Sequence, residues 1–91
     1  MISEELELEN YFVGFDFTLA PNPTTHSFKI HEVGEPETII GVQVINLLGQ
    51  TLYQSTTYAG ETITISNTAK GVHIVKITTP TKVILKKLLI H

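Results

Sequence analysis

Four histidines, His26, His31, His73 and His91, are the side chains most suited to metal or acid–base chemistry in this sequence. His26 and His31 lie five residues apart, and on a regular strand an odd spacing sends them to opposite faces. Cysteine is absent, and no paired carboxylate completes a ligand set. The serines are Ser3, Ser27, Ser55 and Ser66, and none sits in a Gly-x-Ser-x-Gly turn. Asp16 is the single aspartate, so a Ser-His-Asp set assembles only by free choice among residues. The sequence therefore points to no catalytic centre, no metal site and no cofactor.

Charge is distributed unevenly. Residues 1–37 hold eight acids and one base, Lys29, for a net −7. Residues 38–91 hold one acid, Glu61, and five bases (Lys70, Lys76, Lys82, Lys86, Lys87), for a net +4, which leaves −3 overall. The basic half contains no arginine, so bidentate phosphate contacts are missing and nucleic acid is not an expected partner.

Ninety-one residues make one domain with a modest core. At 42% hydrophobic and 16% charged, the chain has enough apolar surface to fold. Its apolar runs are too short to cross a bilayer. The first residues lack the basic segment followed by an apolar stretch that marks a signal peptide. A chain without thiols carries no information about redox compartment.

The elements that must position these residues are strands. No stretch sustains a 3.6-residue apolar period; short β-rich runs alternate with turn residues. Seven runs are expected: Phe12 to Leu19, Ser27 to Glu32, Ile39 to Asn46, Thr51 to Thr57, Glu61 to Ser66, Val72 to Thr79 and Val83 to Ile90. Pro21-Asn22-Pro23 ends the first, because proline removes a ladder donor and restricts the residue before it. Alternation puts Phe28 and Ile30 on one face, as it does Val42 with Val44, Ile63 with Ile65, and Val75 with Ile77. Phe15 and Phe17 are expected in the core, with Tyr11 and Phe12 partly exposed. Strands of this length at roughly ten-residue spacing predict an all-β, immunoglobulin-like β-sandwich of about seven strands. Residues 1–14 read as a linker or a loosely attached N-terminal segment.

Several motifs occur in order along the strands. They are Leu19-Ala20-Pro21-Asn22-Pro23-Thr24, then Val42-Gln43-Val44-Ile45-Asn46-Leu47-Leu48-Gly49-Gln50, then Ala69-Lys70-Gly71-Val72-His73-Ile74-Val75-Lys76-Ile77, and last Lys86-Lys87-Leu88-Leu89-Ile90-His91. In this order the chain resembles the C-terminal sorting domain of proteins exported by the type IX secretion system (the Por secretion system) of Bacteroidetes. The resemblance covers residues 15–91. Three positions depart from the family's usual pattern: Ala20 stands for an aromatic, His73 for a tyrosine and His91 for a lysine or arginine.

The resemblance implies a signal rather than a catalyst. Such a domain directs an N-terminal cargo, folded in the periplasm, to the outer-membrane translocon and on to the cell surface or medium. A sortase-like cysteine protease then removes it, and residues 1–14 hold or adjoin the cleavage site. The residues it implies for recognition are Pro21, Asn22, Pro23, Gly49, Lys70, Gly71, Val72, Lys76, Lys86, Lys87, Leu88, Leu89, Ile90 and His91. The terminal strand is expected to offer its backbone edge for β-augmentation, with Lys86 and Lys87 supplying charge and register. Other readings of the same residues stand beside these. Pro21-Asn22-Pro23 also serves as a rigid turn, Lys70-Gly71 as a turn requirement, and Lys86-Lys87 as protection of an edge strand. The alternative functions are an accessory module binding carbohydrate or another surface, and weak self-association through edge strands.

Overall fold

In the computed structural model, residues 17–34, 37–65 and 70–91 are described. The expectations for residues 1–14, for Tyr11, Phe12 and Phe15, for the first part of the first strand, for Ser66, and for parts of the 34–36 and 67–71 connections lie outside them.

The described residues form seven strands: β1 (Phe17–Ala20), β2 (Ser27–Glu32), β3 (Gly41–Ile45), β4 (Thr51–Ser55), β5 (Ile63–Thr64), β6 (Gly71–Thr78) and β7 (Val83–Ile90). They build two antiparallel sheets, ordered β1-β2-β5 and β4-β3-β6-β7. The expected all-β sandwich is the observed fold. In the constant immunoglobulin arrangement the fourth strand pairs in the first sheet. Here β4 pairs with β3 in the second, and every other strand keeps its place.

Alternation explains which side chains meet between the sheets. Phe17, Leu19, Phe28, Ile30, Ile63 and Ile65 come from the first sheet, and Val42, Val44, Val75, Ile77, Ile84, Leu88 and Ile90 from the second. Tyr58 joins this cluster from the segment after β4 and accepts the Ile30 N–H on its hydroxyl at 3.1 Å. His73 follows the inward parity of Val75 and Ile77 and is buried, with Nδ1 3.0 Å from the Gly71 carbonyl. A carbonyl only accepts, so Nδ1 carries the proton. His26 and His31 are exposed. Among the described residues, no group of three or more His, Cys, Asp or Glu is placed to hold a metal ion.

Candidate functional site

The site is built on β7, which runs along one side of the second sheet. Its inward parity holds Ile84, Leu88 and Ile90, all buried, together with half-buried Lys86. Its outward parity holds Val83, Leu85, Lys87 and Leu89. The two adjacent lysines therefore serve different faces. Leu88 and Ile90 anchor the strand in the core, which leaves Lys87, Leu89 and His91 as the exposed side chains of the motif.

On one side β7 pairs with β6 along its whole length, from Gly71–Ile90 to Thr78–Val83. On the other side the Pro-Asn-Pro segment lies against its C-terminal half. Asn22 Nδ2 donates to the Lys87 carbonyl at 2.8 Å, and the Leu89 N–H donates to Asn22 Oδ1 at 3.0 Å. The Thr24 N–H donates to the Leu89 carbonyl at 2.9 Å, and the His91 N–H donates to the Thr24 carbonyl at 2.9 Å. Thr24 and Ile90 thus form a parallel bridge. The Ala20–Pro21 and Asn22–Pro23 peptide bonds are both cis.

This geometry corrects the expectation of a free backbone edge over the end of β7. From Lys87 to His91 the outward groups named above already have partners within the chain. Only along Val83–Lys86 does no strand among the described residues lie against the outer side.

Thr24 is buried and closes the segment locally. Its hydroxyl donates to the Ser27 carbonyl and accepts the Ser27 N–H at 3.3 Å. The return into β2 is fixed by the same residue that bridges to β7.

The remaining motifs gather at the same end of the sheet. Gly71 pairs with Ile90, and Val72 pairs with Leu89. Gly71 has φ +124°, and nothing crowds its Cα, so backbone conformation alone calls for glycine there. Lys70 precedes it and is exposed. Ile45 pairs with Ile74, so the β3–β4 turn projects from this end too. In that turn Asn46 Oδ1 accepts the N–H groups of Leu48 and Gln50, both at 2.9 Å. Asn46 Nδ2 donates to Gln50 Oε1 at 2.7 Å, and Gly49 takes φ +88°. The turn leaves Leu47 72% and Leu48 85% exposed. Lys76 stands apart, half-buried on the outer face between Gln43 and Leu85.

Sequence reasoning quotes Asn46-Leu47-Leu48-Gly49 within a motif but names only Gly49 for recognition, without foreseeing the exposure of the two leucines or the Asn46 bonds that hold the turn. An asparagine three residues before a turn glycine was the available signal.

The described carboxylates lie elsewhere. Glu37 Oε1 accepts hydroxyl bonds from Thr79 at 2.6 Å and Thr81 at 2.7 Å, at the β6–β7 turn and thus at the opposite end of β7. These donors, Thr79 first, hold its carboxyl below the ordinary range. Glu61 Oε1 accepts the Ala59 N–H at 2.7 Å. Burial pushes the Tyr58 phenol above its ordinary value, against the bond from Ile30. With Tyr58 buried and Tyr53 half-buried, neither ring offers the planar platform that carbohydrate binding would use.

Comparison with known families gives a match over residues 18–91 to the family model described as the secretion system C-terminal sorting domain. Comparison with curated proteins gives no match.

Proposed function

The chain belongs to the secretion system C-terminal sorting domain family, the sorting signals of type IX secretion, and on that premise we propose which of its parts are read and by what. A domain of this family is carried by a larger cargo and marks it for export to the cell surface or beyond. The outer-membrane translocon engages the exposed side chains at the C-terminal end of the second sheet: Lys70, Val72, Lys87, Leu89 and His91. Pro21, Asn22, Pro23, Gly49, Gly71, Leu88 and Ile90 shape that end. Lys86 braces the strand from its inner side, and Lys76 extends the basic outer face. A sortase-like cysteine protease separates the domain from the cargo at a site that residues 1–14 hold or adjoin. Weak self-association falls to β4, the other outer strand of the same sheet.

One observation carries this reading. Motif residues 67 positions apart, Asn22 with Leu89 and Thr24 with His91, meet at one end of the sandwich. A signal needs such a convergence, because a receptor reads one contiguous surface.

The test is a fusion of residues 1–91 to a periplasmic reporter in a type IX-competent host. Reporter on the cell surface, lost when the translocon is deleted, is the expected result. Surface delivery independent of the translocon, or retention in the periplasm with the translocon intact, overturns the reading. The N-terminal residue of any domain released on delivery tests the cleavage step.

A further inference from the structure

Asn22 stands where a neighbouring strand would place a peptide group. A carboxamide carries one acceptor and a donor in a single plane, the same pair that a backbone amide presents. Here the donor meets Lys87 O and the acceptor meets Leu89 N–H. Beyond Pro23 the main chain takes over, through Thr24 to Leu89 O and His91 N–H. A side chain and a short stretch of backbone together imitate a parallel strand.

An open strand edge pairs readily with another strand, and β-augmentation would use the outward groups that Asn22 and Thr24 occupy. We propose that Asn22 is a positioning residue for sorting: its carboxamide clasps the end of β7, shuts that edge against strand addition and holds Lys87 and Leu89 outward to be read as side chains. The inference rests on the sorting reading above and deepens it. It assigns to Asn22 an indirect role, through β7, rather than contact with the receptor.

The chemistry of the clasp gives it a distinctive signature. Replacing Asn22 by Asp keeps the shape and the acceptor for Leu89. When ionised, the carboxylate has no donor for the Lys87 carbonyl and is repelled by it, so it swings off β7 and the Leu89 N–H loses its acceptor as well. When protonated, below about pH 4, it regains a donor and can restore both bonds. The charged or titratable side chains at this end are Lys86 and Lys87 on β7, His91 after it, buried His73 on β6 opposite Leu88, Lys70 before β6, Lys29 on β2 opposite Ala20, and His26 after the segment. All are shared with the unsubstituted protein, which serves as the reference at each pH.

The experiment measures amide hydrogen exchange at Leu89 and His91 in the whole chain, alongside surface delivery of the reporter fusion. In Asn22→Ala, exchange at Leu89 is expected to rise about tenfold, the order for one lost hydrogen bond. Val44 and Val75 should keep their protection, while delivery falls. In Asn22→Asp, Leu89 should exchange fast near neutrality and regain protection relative to the reference below about pH 4.

Unchanged Leu89 exchange in Asn22→Ala, or no acid recovery in Asn22→Asp, overturns the clasp. Lost protection with intact delivery overturns its role in sorting. Lost delivery with intact protection means that Asn22 is contacted directly and also overturns the proposal. If the unsubstituted fusion is not delivered, the sorting reading falls, and with it the positioning role, while the exchange data still judge the clasp.

Discussion

Val72 and Leu89 stand directly opposite each other in the β6–β7 ladder, and their side chains remain 37% and 42% exposed on the outer face. The Leu89 backbone bonds to Asn22 and Thr24, so this is a non-hydrogen-bonded pair, the kind whose side chains approach most closely. Such a pair contributes about 0.2–1 kcal/mol. Leu89→Ser and Val72→Ser should each lower stability only slightly, and a double-mutant cycle in urea should give a coupling in that range. A loss of several kcal/mol from either change would mean that the pair belongs to the core.

Tyr58 and Ile30 make the opposite case. Tyr58→Phe keeps the buried ring but strips the buried Ile30 N–H of its acceptor. The expected cost is about 1–3 kcal/mol by chemical denaturation. The pH dependence follows from the raised phenol. A group whose folded pKa lies above its unfolded value contributes stability that is present below the unfolded pKa, near 10, and is lost as pH rises through the folded one. The unsubstituted protein should therefore lose stability more steeply above about pH 10 than Tyr58→Phe does. Parallel alkaline limbs would contradict the assignment.

Glu37 has the reverse sign. Its carboxyl is held low by the Thr79 and Thr81 hydroxyls. Its contribution is present above the unfolded pKa, about 4.3, and disappears as pH falls through the folded value. Glu37→Gln should flatten the acid limb of the stability curve and leave the neutral region less changed. Identical acid limbs in the two proteins would rule out this carboxylate as an acid-sensitive tie on the β6–β7 turn.

Two motif residues that shape this end, buried Leu88 and the turn glycine Gly49, should act through folding alone. Leu88 is fully buried, and Leu88→Ala should cost about 2–5 kcal/mol. Gly49→Ala meets no neighbouring atom but forces an L-residue to φ +88°, at about 1–2 kcal/mol. Both effects are read from denaturation midpoints. Delivery of these variants should follow their stability, without the selective loss expected for Lys87 and Leu89.

Strand limits were legible where alternation ran between firm turn signals. Ser27–Glu32 and Val83–Ile90 fall where the sequence places them. The fifth run, read as Glu61 to Ser66, yields only Ile63–Thr64 as ladder, because only two residue pairs match it to β2. Its inward residues, Ile63 and Ile65, were nonetheless correctly read. Alternation reports which face is buried, whereas ladder length depends on a neighbour that the local sequence does not reveal. The same limit hid the bond from Asn22 to Leu89 and the inward position of Tyr58. Lys86 and Lys87 read as one basic pair until the parity of β7 divided them between faces.

The most direct test of the account compares two fusions of residues 1–91 to one periplasmic reporter, the unsubstituted chain and a Lys87→Glu, Leu89→Ser double variant. Reporter accessible to surface labelling is quantified, and melting temperatures verify that both domains fold. The account predicts surface reporter for the first and retained periplasmic reporter for the second, with similar melting temperatures. Equal surface delivery by the two folded domains would contradict recognition through the outer face of β7.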